Sequence, residues 1–380
     1  MSKESFISAI VGISTFISLF LAFFLVTVKT KNRLSNRLFA FFLLLIVVDL
    51  SSFLFGYQSE SISNLGLLRN LAVFLQLPTL YLYILSACFS DFKLRYRHAF
   101  HLIPFMVVNL VFIPRFYLKT KTEKLALLQD FKHVFEIQFN HVLFHIQVAV
   151  YLVACFLILR KVKQLYLENY AGASIKSYYW LFQLTLAISA FYTLALLKNI
   201  FKFSIFDAFS EGIQVGLFIF QLIIVCWYLF KALNHPDLFR NLNSRLKLVE
   251  TLITEEKKES NADSQEQYAN DSLSQLKTYM VEQKPFLDPS LTVQSLSDKI
   301  GIPTRELSIL INHKMGQHFF DFINSYRIQS AVDILKDPTK QKVTILEILY
   351  EVGFNSKSSF NTAFKKHTGH TPTTYRSKNS

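Results

Sequence analysis

The chain has 380 residues, of which 51% are hydrophobic and 39 are phenylalanine, and its formal net charge is +13. A composition this apolar excludes an ordinary soluble enzyme, and a balance this basic excludes an inert structural protein. The positive charge indicates anionic partners, either lipid headgroups or nucleic acid. Hydrophobic residues are concentrated before about residue 234, and the rest has the composition of a soluble domain. The two parts are therefore expected to lie in different solvents.

Seven apolar stretches in the first part approach the roughly 20 residues that a helix needs to cross about 30 Å of hydrocarbon. They are Phe6–Val28, Leu38–Tyr57, Leu67–Phe89, His101–Tyr117, His141–Leu159, Tyr178–Leu197 and Ile213–Leu233. The fourth is the weakest, because it is short and contains Pro104, Asn109 and Pro114. The first is too long for a cleaved signal peptide and lacks a small-residue cleavage site. The sequence predicts a seven-helix transmembrane bundle.

Cationic residues set the orientation of this bundle. They follow the first, third and fifth stretches: Lys29, Lys31, Arg33 and Arg37, then Lys93, Arg95 and Arg97, then Arg160, Lys161 and Lys163. Because positively charged loops stay in the cytoplasm, we expect the N-terminus outside and the C-terminus inside the cytoplasmic membrane. The loop from Arg115 to Lys132 disagrees, since it carries several cations on the side assigned to the exterior. The odd number of spans and the character of the C-terminal part outweigh that loop.

Polar residues inside the spans are the candidates for function in the bundle. Asp49 lies well inside the second span, and five amides lie in others: Asn109, Gln147, Gln183, Gln214 and Gln221. They either line a ligand cavity or hold the helices together by hydrogen bonds, and the glutamines favour the second interpretation. For Asp49, a possible sensor site, the two interpretations are balanced. His141 and His145 are one helical turn apart. A third ligand would have to come from a residue such as His133 or Glu136, and nothing fixes that geometry, so no metal site is expected.

Two different segments follow the last span. Leu238, Leu242, Arg245, Val249 and Leu252 have a 4-3-4-3 spacing, which indicates either a helix that pairs in a homodimer or a single surface helix. The stretch from Glu255 to Asp271 is polar, acidic and almost without aliphatic residues, so it is expected to be a disordered linker. A flexible coil of this length spans roughly 20–25 Å, about one DNA diameter.

The C-terminal part repeats one pattern twice. In the first unit, an apolar stripe that ends at Ile300 is followed by Gly301, and Pro303 begins a second amphipathic helix. In the second unit, a stripe that ends at Val352 is followed by Gly353, and Asn355 or Ser356 caps a helix with Phe360 and Phe364 inward. Helix, glycine turn and helix is the helix-turn-helix pattern.

A long amphipathic helix, about Phe319 to Leu335, separates the two units. Phe320, Ile323, Arg327, Ala331 and Ile334 share one face, which is expected to pack on both units. Such a spacer places two recognition helices in successive major-groove segments, about 34 Å apart along double-stranded DNA.

The segment Gly353–Arg376, GFNSKSSFNTAFKKHTGHTPTTYR, resembles the second helix-turn-helix of the AraC/XylS family of transcription regulators. LSILINHKMGQHFFDFINSYRIQSAVDIL in the first unit is similar to family members fused to transmembrane bundles. Pro303 departs from the family, which usually has Ser or Thr as the cap at this position.

The resemblance implies which side chains meet DNA, and their places off the apolar stripes agree. Base contacts are implied for Arg305, Ser308 and Ile309 in the first recognition helix and for Lys357, Ser358, Asn361 and Thr362 in the second. Arginine pairs with guanine, asparagine with adenine, and isoleucine only touches a thymine methyl. Phosphate contacts are implied for Lys314, Lys365, Lys366 and Arg376.

The sequence therefore predicts an all-α protein with a transmembrane module over 1–234, a juxtamembrane helix and linker over 235–271, and a tandem helix-turn-helix domain over 272–380. The expected function is membrane-anchored, sequence-specific transcription regulation, with the bundle sensing an unknown ligand or membrane partner. The alternative is a transporter or receptor with a regulatory DNA-binding tail. No catalytic motif or internal repeat supports an enzyme or a transporter, and no cofactor is implied.

Overall fold

A computed structural model describes residues 3–28, 33–54, 62–89, 91–129, 131–171, 176–204, 207–234 and 262–379. Within these residues the chain is helical and contains no β-strand, which confirms the all-α class. The chain divides into two compact units. The first comprises Met1–Arg160 and Lys176–Ser244, and the second comprises Lys161–Ile175 and Arg245–Ser380.

The first unit is built from helices, most of which are long and apolar. They are α1 (Lys3–Thr27), α2 (Arg33–Leu54), α3 (Asn64–Leu71), α4 (Gln76–Cys88), α5 (Ile103–Phe112), α6 (Lys121–Gln129), α7 (Phe135–Asn169), α8 (Lys176–Lys202) and α9 (Asp207–Asn234). Seven segments of the described residues are long and apolar enough to cross a membrane, the fourth being Tyr96–Tyr117. The predicted set of spans is therefore found as helices.

Two of these spans are broken by other helical geometries. A 3-10 turn, Ala72–Leu75, joins α3 to α4, so Asn64–Cys88 forms one span. The fourth span consists of a 3-10 helix, Tyr96–Leu102, then α5, then a π-helical turn, Ile113–Tyr117. Pro104 and Pro114 lie in the first turns of the last two segments, where a missing N–H costs least.

The outer surface of the first unit carries large apolar side chains. Phe16 and Phe23 of α1 are about 70% exposed, whereas Leu21 of the same helix is buried. Ile10 and Val11 pack in a small core with Leu50 and Phe218. Helices that are apolar on the outer face as well as the inner one match a lipid environment.

Helix α7 is longer than the sequence predicts. Its 35 residues, Phe135–Asn169, extend the expected span His141–Leu159 at both ends. At 1.5 Å per residue this is roughly 50 Å, more than the hydrocarbon thickness. The residues of α7 up to Arg160 belong to the first unit, and those from Lys161 on belong to the second.

The second unit contains α10 (Ala262–Glu282), α11 (Val293–Ile300), α12 (Thr304–Ile309), α13 (Phe319–Lys336), α14 (Ile345–Glu351), α15 (Lys357–Thr368) and α16 (Pro372–Asn379). It has two apolar cores. One lies around α10, α11, α12 and the start of α13, and the other around the end of α13, α14 and α15. The long helix α13 contributes to both cores, as its sequence pattern predicted.

The linker prediction was wrong over part of its length. Helix α10 begins at Ala262, inside the segment expected to be disordered, because Leu276 and Met280 further along the helix are fully buried in the first core. Burial of an amphipathic face stabilises a helix that its polar first turns would not form alone. The expected juxtamembrane helix, 238–252, and linker residues 255–261 lie outside the described residues.

Candidate DNA-binding surface

The first helix-turn-helix is formed by α11 and α12. Thr292 caps α11 in a capping box with Ser295, and Gly301 ends the helix at φ 78°. The turn is fixed by Ser297 Oγ, which donates to the carbonyl of Ile302 at 2.7 Å. Pro303 is the residue before α12 and makes no side-chain cap, so the helix starts at Thr304, one residue later than predicted.

The second helix-turn-helix is formed by α14 and α15. Thr344 and Glu347 make the capping box of α14, and Ser356 is the residue before α15. Gly353 has φ +88°, and a Cβ there would lie 2.6 Å from the carbonyl oxygens of Phe286 and Leu287. Both its backbone conformation and this close approach require glycine.

Arg327 connects α13 to the loop before α11. Its Nε donates to the carbonyl of Phe286 at 2.6 Å and its Nη2 to that of Asp288 at 2.8 Å. The guanidinium also lies 5.4 Å from the ring centre of Phe354. Burial lowers the pKa of Arg327 to about 10, so the side chain stays charged at neutral pH.

In the second recognition helix, α15, the predicted base-reading residues form one open face. Lys357, Ser358 and Thr362 are exposed and Asn361 is half-buried. Phe360 and Phe364 are fully buried on the other side of the helix. This face has the N-terminal position and polar side chains that reading of base edges requires.

In the first recognition helix, α12, the predicted base-reading residues are not equally open. Arg305 is half-buried, but Ser308 and Ile309 are only 5% and 7% exposed. The five consecutive residues Leu307–Ile311 are all buried. The second half of α12 and the start of the π-helical turn that follows it, Leu310–Lys314, are therefore covered, whereas Glu306 in the first turn is exposed. Their position off the apolar stripe had predicted that Ser308 and Ile309 would be exposed.

A segment from the other half of the sequence lies beside this helix. Asn312 Nδ2 donates to the carbonyl of Glu168 at the end of α7. Two residues further, Tyr170 forms an isolated antiparallel bridge with Thr292. Ala171, 1% exposed, packs in the first core of the second unit. Sequence reasoning missed this segment. What could have indicated it is the helix-forming stretch that continues beyond the fifth predicted span.

The predicted phosphate-contacting residues lie in different surroundings. Lys314 and Lys365 are exposed. Lys366 Nζ lies 2.6 Å from Asp321 Oδ1 in an ion pair. Arg376 Nη2 donates to the carbonyl of Val343 at 2.7 Å, so one of its donors already has a structural partner.

In the first unit, Asp49 lines a cavity of about 280 Å³, which we call the bundle cavity. Its polar lining consists of Asp49, Ser52, Asn70, Gln76, Asn140, His141, Tyr192, Lys198, Asn199, Gln214 and Gln221. Tyr192 Oη donates to Gln76 Oε1 at 2.7 Å, and Lys198 Nζ donates to Gln214 Oε1 at 3.1 Å. The sequence indicated Asp49, Gln214 and Gln221 as candidates, but not that Lys198 would share their cavity.

Other polar residues of the spans hold helices together. Gln147 Nε2 donates to the carbonyl of Phe74 at 2.9 Å, which is an interhelical hydrogen bond. The ring of His141 packs against Phe203, and His145 Nε2 is 2.9 Å from Asn199 Nδ2. Within the described ranges, no three histidine, cysteine, aspartate or glutamate residues are grouped as a metal site would require.

Two helix-turn-helix units joined by one long helix define the class of the C-terminal domain: a tandem helix-turn-helix, DNA-binding domain. Comparison with protein families is consistent with this, because a helix-turn-helix domain of the AraC type matches residues 296–378. Comparisons with curated proteins and with solved structures found no match. The chain thus carries the DNA-binding domain of AraC-type transcription regulators after seven helices of transmembrane character.

Proposed function

We propose that the protein is a membrane-anchored, sequence-specific transcription regulator whose bundle senses a signal. The observation that carries this proposal is the AraC-type domain at residues 296–378, on the same chain as seven candidate membrane spans. The domain supplies two recognition helices, and the bundle supplies an anchor and a polar cavity.

The charge pattern supports a cytoplasmic DNA-binding domain. The cation-rich loops after the first, third and fifth spans belong inside by the positive-inside rule. With seven spans, the N-terminus is then outside and the C-terminal domain has access to DNA. The loop from Arg115 to Lys132 has cations that disagree with this orientation. One of them, Lys124, is buried, and its Nζ donates to Asn64 Oδ1 at 2.6 Å.

We assign base reading to Arg305, Ser308 and Ile309 of α12 and to Lys357, Ser358, Asn361 and Thr362 of α15. Lys314, Lys365, Lys366 and Arg376 are assigned to phosphates, which set affinity and register but carry no sequence information. The described face of α15 supports this assignment most directly.

The test uses the full chain in lipid nanodiscs and duplexes selected from a random pool. We expect a selected duplex to bind about 10³-fold or more tightly than a scrambled one at physiological salt. The double variant Arg305→Ala, Asn361→Ala should lose this preference, and Lys277→Ala, an exposed change on α10, should keep it. If no duplex is preferred at any salt concentration, the proposed function is wrong.

The orientation is tested by cysteine labelling in intact cells with a membrane-impermeant maleimide. Lys121→Cys, at the start of α6 after the fourth span, should react, and Lys277→Cys should react only after lysis. The unsubstituted chain, with Cys88, Cys155 and Cys226, gives the background. Labelling of Lys277→Cys in intact cells would place the domain outside and exclude gene regulation.

A further inference from the structure

We propose that the bundle cavity binds a small zwitterion, whose cationic group meets Asp49 and whose anionic group meets Lys198. This inference rests on the proposed sensing role and names the chemical class of the signal. Both residues line the cavity, which has about 280 Å³ of space. That is slightly below the usual range for drug-sized ligands, so the site suits a molecule of amino-acid size.

The polar lining is collected at one end of the helices. Asp49 lies near the C-terminal end of α2 and Lys198 near that of α8, whereas Asn140 lies near the N-terminal end of α7 and Gln214 near that of α9. Helices that cross a membrane in alternating directions bring these ends to the same side. In the proposed orientation this is the outer side, so the ligand enters from outside the cell.

Two acceptor atoms of the lining lack a hydrogen-bond partner among the described residues. Asn140 Oδ1 and Asn199 Oδ1 are both buried in this state. A buried acceptor without a donor destabilises a fold. The ammonium or amide N–H groups of a bound ligand would supply the missing donors.

The charges decide the ligand class. Asp49 is the one acid and Lys198 the one lysine among the described lining residues, so a purely anionic ligand would leave Asp49 unmatched and a purely cationic one would leave Lys198 unmatched. A molecule that carries both charges meets an opposite charge at each end, and polar residues of a membrane bundle that face a cavity mark ligand sites.

The test is direct binding to the full-length protein in nanodiscs, with the α-amino acids used one by one as probes. Matched amines without the carboxylate and matched acids without the amine serve as reference ligands. At least one amino acid should raise the unfolding midpoint by several degrees at saturation, and its two reference ligands should not. Asp49→Asn and Lys198→Gln should each weaken its binding about tenfold or more.

Glu211→Gln, an exposed acid near the start of α9, and Lys121→Gln are the matched controls and should leave binding unchanged. If no amino acid binds, or if an amino acid binds equally well to Asp49→Asn and Lys198→Gln, the site is wrong. The selection of DNA by the same nanodiscs is scored separately, so failure of the cavity proposal leaves the DNA-binding proposal standing.

We further infer, from a different part of the molecule, that the end of α7 locks the first recognition helix away from DNA. The contact includes three hydrogen bonds among the described residues. Ala171 N donates to the carbonyl of Leu291 at 3.1 Å, Arg327 Nη1 donates to the carbonyl of Ala171 at 3.2 Å, and Asn312 Nδ2 donates to that of Glu168 at 3.4 Å.

The two recognition helices differ in their exposure. Ser308 and Ile309 of the first are buried, whereas Lys357, Ser358 and Thr362 of the second are exposed. A recognition helix must have an open face to enter the major groove. In the described structure the predicted base-reading face of the second recognition helix is therefore accessible to DNA, whereas Ser308 and Ile309 of the first are not.

Because α7 is one continuous helix, it connects the bundle cavity with the contact at residues 168–171. One helix carries Asn140 of the bundle cavity and, at its far end, Glu168 beside the recognition helix. A shift of this helix along or about its axis would change both places together. Separation of the segment 168–171 from Leu291, Asn312 and Arg327 would uncover the first recognition helix and permit two-site binding.

The lock is tested with a reversible disulfide. Tyr170 and Thr292 face each other in an antiparallel bridge, whose Cα separation of about 4.5–5.5 Å suits a disulfide. In nanodiscs, the oxidised variant Tyr170→Cys, Thr292→Cys should bind the selected duplex at least about tenfold more weakly than the same protein after reduction. Tyr170→Cys alone should bind equally well under both conditions.

Each result decides between the proposals. A disulfide that does not form overturns the docking contact, and a locked form that binds as tightly as the reduced form overturns the inhibitory role. If the reduced form has no sequence preference either, the proposed function itself fails. A second variant, Ala171→Glu, places a charge in the first core to expel the segment, and it should bind the selected duplex more tightly than the unsubstituted chain.

Discussion

The guanidinium of Arg327 donates a hydrogen bond of 3.2 Å to the backbone carbonyl of Ala171, although 156 positions separate them in the chain. The same side chain also bonds the carbonyls of Phe286 and Asp288. One buried cation on α13 thus holds together the loop before the first helix-turn-helix and the segment after α7. This makes Arg327 the residue on which both the domain and its proposed lock depend.

We predict that Arg327→Met destabilises the second unit by about 3 kcal/mol or more, because three carbonyls lose a charged donor. The measurement is hydrogen exchange of the α13 amides in the full chain, which should become about 150-fold faster where exchange follows unfolding of the unit. Arg327→Lys should recover little, since an ammonium cannot reproduce the fork of the guanidinium. Lys336→Met, an exposed change on the same helix, should leave exchange nearly unchanged.

We predict that Gly353→Ala is far more damaging than Gly369→Ala, although both glycines have positive φ. At Gly369 a Cβ meets nothing within 4 Å, so only the backbone strain of about 1–2 kcal/mol applies. At Gly353 the Cβ would also clash with two backbone carbonyls that cannot move aside, which adds about 1–3 kcal/mol. Unfolding midpoints of the two variants provide the comparison, and equal midpoints would contradict the described packing of the turn.

The local features of the DNA-binding domain could be predicted from the sequence. The glycines that end α11 and follow α14, the two apolar stripes and the spacer helix are all short-range patterns, because a helix turn repeats every 3.6 residues. The position of Phe360 and Phe364 in the second core follows from the same periodicity.

The features that link distant segments could not be predicted in this way. Nothing near Ala171 indicates that it packs beside Leu291, and nothing near Asp49 indicates that its cavity includes Lys198. Such pairings depend on how each helix is rotated and how far it extends, which hydropathy alone does not determine. The burial of Ile309 was missed for the same reason, since its position off the apolar stripe predicted exposure.

The stability of the second unit should fall in acid partly through Asp288. Hydrogen bonds from the hydroxyl and backbone N–H of Ser290 lower the pKa of this carboxyl below its ordinary value. A carboxyl whose pKa is lower in the folded state stabilises the fold above its unfolded pKa and loses that contribution as the pH falls through its folded pKa.

We therefore expect Ser290→Ala to reduce the difference in unfolding midpoint between pH 5.5 and pH 3, because the hydroxyl donor is gone. The matched change Ser274→Ala, at an exposed position of α10, should keep the full difference. An unaltered pH dependence in Ser290→Ala would mean that this hydrogen bond does not contribute to acid sensitivity.

Two adjacent lysines of α15 should differ in their contribution to DNA binding. Lys365 is exposed, whereas Lys366 Nζ already pairs with Asp321 at 2.6 Å. A lysine that neutralises a phosphate releases counterions, which contributes about 0.9 to the slope of log affinity against log salt. We predict that Lys365→Gln lowers this slope by about 0.9 and weakens selected and scrambled duplexes equally, while Lys366→Gln changes the slope less.

Asn361→Ala should behave in the opposite way. It removes a donor and acceptor suited to adenine, so it should cost about 1–3 kcal/mol on the selected duplex, little on the scrambled one, and leave the slope unchanged. Fluorescence anisotropy across a salt series, with the protein in nanodiscs, measures all three variants in one experiment. Only a phosphate contact releases counterions, and only a base contact separates one sequence from another. If the slope falls as far for Asn361→Ala as for Lys365→Gln, the assignment of Asn361 to a base is therefore wrong.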